Sequence, residues 1–480
     1  MGGPGKGKIQ RFIRAVRGIL GDSRVYNVEP KPHNLEPGGG TPPLDAWPLL
    51  KLAFLKGLRT PKFIVLEPTS VEEVLDVVRA AREYGVCLHP WSAGSGVLGA
   101  SLPSRECVVV SVARLKEVSI DVSRMIAHVG AGTRISEIAN ASLKAGLYFP
   151  LLPQSFELAS AAGIVSTLGS GLLQPGTGNV EDVVQYIDIV TSGTELIRLG
   201  TDVTPRGCIG PCLHYLILGA EGSAGVIVGV GFRLRMKPRG EARVACRLPN
   251  LSKAIEIARE LSQWNSPHML RILDEDESTI TLSTEGPLLL AMYLTSTTYF
   301  SSVLKEAVSK ACIEYGGEVL EDKIIDRFVR ERYRFRERLE ELYRAGLWAD
   351  TIDLAAPWSL MEKTWTILKE RLSSIEGVIA VLGHASHFYP SGGSLYLIVV
   401  GEASLKVFGK VWKEAMKTAL ELGVAVTHHH GVGRGKLLWA EKQMSRGGFK
   451  TLCSLLDAMD PYRVFRGSPL RRECLRVLEG

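Results

Sequence analysis

The stretch Pro90-Trp91-Ser92-Ala93-Gly94-Ser95-Gly96-Val97-Leu98-Gly99 follows directly on a short apolar run, Val86-Cys87-Leu88-His89. A strand that ends in a glycine turn presents successive backbone N–H groups as a concave anion site. Glycine there lets a phosphate approach the main chain. Taken alone, such a turn also suits any tight connection from strand to helix. The flanking chain narrows the reading to an α/β segment. Phe63-Ile64-Val65-Leu66 reads as a strand. Ser70 and Glu73 then form a capping box, and Val71, Val74, Leu75, Val78 and Ala81 fall on one face of a helix that Gly85 stops. Further strands are expected at 108–112, 125–129, 187–191 and 226–234.

A Rossmann reading fails. Gly130-Ala131-Gly132-Thr133-Arg134-Ile135 carries Ile where the third glycine belongs, and no acid follows at the required distance. There is no Walker A sequence either. Instead, three more segments rich in small residues follow in order. They are Pro153-Gln154-Ser155-Phe156-Glu157-Leu158-Ala159-Ser160-Ala161-Ala162-Gly163-Ile164-Val165-Ser166-Thr167, then Gly176-Thr177-Gly178-Asn179-Val180-Glu181-Asp182, then Leu218-Gly219-Ala220-Glu221-Gly222-Ser223-Ala224-Gly225-Val226-Ile227. Near the C-terminus, Thr427-His428-His429-His430-Gly431-Val432-Gly433 gathers three of the ten histidines. Adjacent imidazoles ending in a glycine turn bring several groups that titrate near neutral pH into one small volume.

Bulk properties set the frame. A chain of 480 residues with 45% hydrophobic and 22% charged residues is expected to hold two or three domains. The formal charge of +6 suits an anionic substrate or cofactor. Its Lys and Arg are mixed with acids, which argues against nucleic-acid binding. No apolar run reaches the length of a membrane span. The eight cysteines contain no CxxC pair, so the setting reads as reducing and cytoplasmic, with Cys208 and Cys212 as ordinary small residues. Sparse Asn and Gln beside plentiful Arg and Glu is a thermophile's bias.

Four divisions of the chain are expected, two of them domains flanked by an N-terminal arm and a C-terminal segment. Residues 1–59 hold a basic amphipathic helix and a Pro/Gly-rich arm around Gly38-Gly39-Gly40. In the helix Lys6, Lys8, Arg11, Arg14 and Arg17 interleave with Ile9, Phe12, Ile13, Val16, Ile19 and Leu20. It reads as packed on its own protein, with peripheral membrane contact as the alternative. Residues 60–239 form the α/β unit. Residues 240–420 read as an α+β unit with strands at 288–294, 378–382 and 394–400 and helices at 251–264, 300–316, 322–345, 358–374 and 402–422. The helix at 322–345 is crowded with arginines. Residues 421–480 carry the histidine run and two helices. His214 and His268 read as structural.

The ordered glycine segments resemble the FAD-binding domain of the vanillyl-alcohol oxidase and cresol methylhydroxylase (PCMH) type. The fold class this implies is α+β. FAD would lie extended between two packed α/β subdomains, an α+β cap domain would hold substrate, and a C-terminal helical segment would close on the flavin. The resemblance implies that Pro90, Trp91, Ser92, Ala93, Gly94, Ser95 and Gly96 form the pyrophosphate loop. Gln154, Ser155, Ser160, Gly163, Ser166, Thr167 and Gly169 would line the flavin and ribityl chain. Glu221, Gly222, Gly225, Val226 and Ile227 would return main-chain contacts to the cofactor. Some members attach FAD through a histidine in the first loop. Here that loop has none, because His89 precedes it, so FAD is expected to be non-covalent.

Within that family of FAD-linked oxidases and transferases, the chain resembles the alkylglycerone-phosphate synthase (alkyldihydroxyacetonephosphate synthase) branch. Thr427 to Gly433 is similar to its His-His-His-Gly-Val-Gly signature. Gly383-His384-Ala385-Ser386-His387-Phe388-Tyr389 resembles the strand that carries its catalytic tyrosine. Ala355-Ala356-Pro357-Trp358 resembles its Ser-Ala-Pro-Trp start of a helix, and Asp460-Pro461 with Phe465 its C-terminal turn. Cys212 departs from the branch pattern, which has Asp after Gly-Pro. The implied chemistry is at flavin N5, on a small oxygenated anionic substrate. Tyr389 would be the base, and His428, His429 and His430 would position oxygens. A phenol needs a nearby cation to act as a base, to come from a His or an Arg of 327–344.

The rival branch is the D-2-hydroxyacid dehydrogenases, acting on D-lactate or glycolate by hydride transfer to flavin. His384 fits the first histidine of their metal-binding strand. The Gly-Asp-Gly-Asn core is absent, Tyr396 stands near the second histidine's place, and His429 replaces a glutamate. No metal is therefore expected. A flavin-binding subunit of a larger complex is the third reading. The expected partner is a small molecule, a hydroxy acid or a phosphate-bearing lipid precursor. The expected assembly is a homodimer, and the expected location cytoplasmic or membrane-peripheral.

Overall fold

The computed structural model describes residues 6–28, 48–56, 62–202, 205–207, 210–264, 267–332 and 335–479. The proline-rich arm, at 28–47, and Cys208 lie almost wholly or wholly outside them. Local signals act where the sequence puts them. The Ser70 hydroxyl accepts from the Glu73 N–H at the start of helix Val71–Tyr84, and Gly85 closes the helix in the left-handed conformation.

The first sheet runs in the order Val25–Val28, Phe63–Leu66, Cys107–Ser111, Cys87–Trp91. Its last three strands are parallel. The second is five-stranded and antiparallel, in the order Val118–Asp121, Ile126–Gly130, Val226–Arg233, Val184–Val190, Leu196–Gly200. One continuous apolar core joins the two subdomains. Helix Lys6–Leu20 buries Phe12, Val16 and Leu20 in that same core and leaves Lys8, Arg11, Arg14 and Arg17 exposed. The apolar face of the helix thus packs on the protein's own core. Among the described residues no helix is long and apolar enough to cross a membrane.

The third sheet is seven-stranded and antiparallel, in the order Glu318–Leu320, Gly240–Arg247, Leu288–Thr295, Met269–Leu273, Val378–Tyr389, Gly392–Glu402, Leu347–Pro357. Alternation along its strands sorts residues to two faces. Leu270, Ile272, Ile352, Leu354, Ala385, Leu395 and Leu397 join the core under helices Leu251–Gln263, Trp358–Ser373 and Leu405–Leu422. Arg271, Asp353, His384 and Tyr396 alternate with them and so face the other way.

A register shift between Ser386 and Tyr389 breaks this parity. His387 takes φ 51° there. Phe388, which strict alternation would put on the face of Ser386, thereby joins the core face with Ala385. Tyr389 swings to the opposite face with His384. A bulge that re-aims side chains in this way is common beside active sites.

Three expectations are corrected. The helix at 322–345 is two helices, Lys323–Glu331 and Phe335–Arg344. Strands Gly240–Arg247, Met269–Leu273 and Leu347–Pro357 were not anticipated. Met269–Leu273 and Leu347–Pro357 are largely buried on both faces and Gly240–Arg247 mixes charged with apolar residues, so none shows the clean alternation that separates strand from helix. Cysteine pairing was missed as well. Cys87 is bridged to Cys107 across paired parallel strands, and Cys453 to Cys474 between helices Arg446–Met459 and Pro469–Glu479. Both pairs meet through tertiary structure, so no spacing motif announced them, and the reducing reading of the cysteines loses its basis. Cys212 is exposed and unbridged.

Candidate active site

The cradle is assembled from the loops the sequence set apart. Ser92 donates its hydroxyl to Ser160 Oγ at 2.7 Å and so ties the first loop to the second. Pro90 packs under Gly222, and Trp91 is buried with its indole N–H unpartnered among the described residues. Ser160 caps helix Ala161–Ser166 at the N–H of Gly163. Ser166 and Thr167 return their hydroxyls to the carbonyls of Ala162 and Gly163, and Gly169 N–H closes on Ile164 O. Glu221 N–H reaches Ser166 O at 2.9 Å. Gly225 leads into Val226 and Ile227, both buried in the second sheet. Ser155 O holds the turn at Leu158 and Ala159. Gln154 departs from this group, since its amide donates to Arg332 O at 3.3 Å in the cap.

Among the described residues none accepts from the backbone N–H groups of Ala93, Gly94, Ser95 or Gly96. A Cβ at Gly96 would meet nothing within 4 Å. Unclaimed donors on an open loop are what a pyrophosphate requires, so the residues present fit FAD.

Cradle, cap and histidine segment meet at a cavity of about 250 Å³. Leu168, Asn179 and Glu181 line it from the cradle, Ala355 and Tyr389 from the cap, and Thr427, His428 and His429 from the last segment. Tyr389 Oη lies 2.8 Å from His428 Nε2 and accepts from Asn179 Nδ2 at 3.0 Å. Burial pushes the Tyr389 phenol up to about 12, and Asn179 partly offsets this. Burial pushes His428 down to about 4. A neutral imidazole beside a neutral phenol makes Nε2 the acceptor, which leaves the His428 proton on Nδ1. That proton points to His429 Nδ1, 2.8 Å away. His429 and His387 are both held well below the usual range, burial first and neighbouring imidazoles second.

A buried charge fixes the histidine loop. Asp353 is fully buried and binds Lys436 Nζ, itself fully buried. The same carboxylate accepts from His428 N–H at 2.9 Å and His429 N–H at 3.3 Å, and His430 Nδ1 lies 3.1 Å from it. Burial disfavours the charged carboxylate. The fields of His430 and Lys436 overcome it and hold Asp353 well below the usual range. Beyond Tyr396, Glu277 binds His384 Nδ1 at 2.7 Å and Arg271 at 3.5 Å. The Arg271 guanidinium is buried, and its field lowers His387 and His384.

Among the described residues no arginine of 327–344 lines this cavity. Arg327 bonds Leu282 O, Arg338 pairs with Glu331, and Arg344 with Glu340. Of the two sources expected for a cation beside Tyr389, a His or an Arg of 327–344, a histidine stands there, His428, but burial keeps it neutral, and an amide, Asn179, completes the pair. The residues that sequence reading did not single out are Asn179, Asp353, Lys436, Arg271 and Glu277. The available signal was a charge set inside an apolar strand, as at Asp353 and Arg271. Backbone strain marks the same place: Leu168, Glu221 and His387 have φ of 53°, 47° and 51°.

Comparison with known proteins bears on the family and the fold. The FAD binding domain family matches residues 63–200, and the family of FAD linked oxidases, C-terminal domain, matches residues 237–466. The chain is 24% identical to alkyldihydroxyacetonephosphate synthase of Dictyostelium discoideum over 84% of its own length and 72% of that protein's. It is also 24% identical to D-lactate dehydrogenase of Archaeoglobus fulgidus, over 88% of its own length and 96% of that protein's. A solved alkyldihydroxyacetonephosphate synthase shares the fold with a TM-score of 0.79 at 18% identity, covering 95% of this chain and 85% of that one. A p-cresol methylhydroxylase structure does so with a TM-score of 0.75 at 15% identity, covering 97% of each chain. An α+β fold of the PCMH type, an FAD cradle and matches over both halves of the chain give one conclusion: this protein is an FAD-dependent member of the FAD-linked oxidase family.

Proposed function

We propose that the protein is a synthase-like flavoenzyme in which Tyr389 takes a proton from a small, oxygenated, anionic substrate. The observation that carries this is the 2.8 Å contact between Tyr389 Oη and His428 Nε2, with Asn179 donating to the same phenol oxygen. FAD, when bound, supplies the electron-accepting chemistry at N5. The loops at Pro90–Gly96, Ser160–Gly169 and Glu221–Ile227 would hold it. The phenol does not need to ionise beforehand. As its oxygen takes the substrate proton, its own proton passes to His428 Nε2, and Asn179 stabilises the oxygen throughout.

The 24% identity to a D-lactate dehydrogenase, over 88% of this chain and 96% of that protein, favours a second reading, with a short hydroxy acid as substrate. The same Tyr389–His428 pair would then take a hydroxyl proton while hydride leaves for the flavin. Anaerobic mixing separates the two. Release of fatty acid from acyl dihydroxyacetone phosphate with the flavin still oxidised supports the synthase reading. Bleaching by D-lactate, glycolate or D-2-hydroxyglutarate supports the oxidoreductase. Unchanged turnover in Tyr389→Phe sinks both.

Non-covalent FAD rests on His89. That imidazole is buried, holds Ser101 O at 3.1 Å through Nε2, and packs beneath Gly467. Acid precipitation should leave the yellow colour in the supernatant, whereas a yellow pellet contradicts it.

A further inference from the structure

Glu221 carries a carboxylate that the proton transfer above does not use. It is buried, and no cation is among the groups that bind it. Its Oε1 accepts from Val432 N–H at 2.8 Å and Gly433 N–H at 3.0 Å, and its Oε2 from Gly433 N–H at 3.1 Å. Its own N–H is bound to Ser166 O at 2.9 Å, within the flavin-lining loop. One residue therefore spans from the cradle to the turn that ends the histidine run.

A second tie lies beside it. Arg434 and Gly435 donate their N–H groups to Leu98 O at 2.7 and 3.1 Å. Leu98 closes the first glycine loop. The glycines of the histidine segment answer to these contacts. A Cβ at Gly431 would run into Glu221 Oε1 and stand 3.7 Å from Thr167 Cβ. A Cβ at Gly433 would run into Leu98 O. Both glycines also take positive φ, 76° and 48°. The ends of all three cradle loops thus press on one side of the histidine turn, while Asp353 and Lys436 hold its other side.

We propose that Glu221 is a positioning residue that couples the order of the FAD cradle to the placement of His428 and His429. FAD binding fixes the loop at Glu221. The carboxylate then fixes the amides of Val432 and Gly433, and with them the two imidazoles just upstream. Without the cofactor the turn keeps its cap-side anchor at Asp353 and loses definition on the cradle side. Burial pushes the Glu221 carboxyl up to about 7, and its backbone bonds pull it back. Such an acceptor is maintained only by the amides that surround it.

Hydrogen exchange resolved to single amides, on the full chain with and without FAD, tests this apart from any activity. FAD is expected to slow exchange at Val432, Gly433, Arg434 and Gly435. In Glu221→Gln the protection at Val432 and Gly433 should fall about 10-fold, because a neutral acceptor replaces a charge-assisted one. Arg434 and Gly435, bound to Leu98, should keep theirs. Glu221→Asp retains the charge but is one methylene short, and should lose the same two protections. In both variants kcat should fall with KM little changed and FAD still bound. Equal exchange at Val432 and Gly433 with and without FAD overturns the proposal. So does full protection in Glu221→Gln, or loss of FAD binding in that variant, which would make Glu221 a direct cofactor contact. The proposal rests on residues 90–227 being the flavin cradle. A failure of the Tyr389 reading would show in turnover and leave these exchange rates as they are.

Discussion

The two walls of the cavity are built by opposite means. The cradle wall presents main-chain N–H groups, hydroxyls and glycines, on loops that follow one another along the chain. The cap wall presents a phenol, imidazoles and buried charge, drawn from strands Met269–Leu273, Leu347–Pro357, Val378–Tyr389 and Gly392–Glu402 and from the loop after Val426. The cradle needs little more than backbone shape to receive a phosphate. The cap wall must desolvate titratable groups and hold them at 2.8 Å from one another. A cofactor site can thus be written locally, whereas a proton-transfer site of this kind has to be assembled across a sheet.

That contrast can be broken by experiment, and the cap wall should break hardest. Tyr389→Phe removes the phenol and keeps the ring, so turnover should fall roughly 10²- to 10⁴-fold, as when a general base is lost. FAD content should not change. Steady-state kinetics with flavin quantitation checks this, and loss of FAD would place Tyr389 in the cradle instead.

Asp353→Asn leaves Lys436 charged, buried and without its counterion. Breaking such a pair costs about 3–5 kcal/mol. Urea unfolding should report that loss, and a midpoint near that of the wild type would mean that water reaches the pair.

The disulfides come next. They close loops of 20 and 21 residues by sequence separation. Loops of that size are worth about 3 kcal/mol each. Reductant should lower the melting midpoint, and alkylation before and after reduction should count four extra thiols. Labelling of Cys87 and Cys453 without reductant would remove the bridges from the account.

Acid should act through the imidazoles. His89 and His428 are pushed down to about 4, and His384, His387 and His429 are also lowered, burial being the leading cause. The unfolded chain therefore binds more protons than the folded one below the ordinary histidine value of about 6.5. Stability should fall as pH drops from about 6.5 towards about 4. Glu221 and Asp350, raised to about 7, and Glu181 and Asp460, also raised by burial, act in the opposite sense, but they are four groups against seven once the lowered His214 and His268 are included. A stability that rises through this acid window would mean that the imidazoles are solvated.

Much of the cradle was legible in advance. Strand Phe63–Leu66, the Ser70 cap and the four glycine segments are local statements, each made by residues a few positions apart. The histidine run was legible too, as a cluster. Its partners were not. Asn179 stands 210 residues from Tyr389 and Asp353 stands 75 from His428, so nothing in their neighbourhoods names the contact. The bulge at His387 was invisible for a related reason. Its bearing lies in which face Phe388 and Tyr389 take, and that depends on pairing with Gly392–Glu402. The arginine-rich stretch at 327–344 stood out by a charge density that marks solvent exposure, while Arg271, buried near the histidines, is a single residue inside an apolar strand.

Sequence by itself determined that this chain folds as an α+β protein with an FAD cradle in its first half and an imidazole cluster near its end. Short-range backbone preferences and glycine spacing carry that information. Tertiary structure alone decided which groups share the cavity, which of them stay neutral, and which cysteines meet. Proximity and burial, not residue type, set a proton's affinity in a low-dielectric interior, and both arise only when distant strands are packed together.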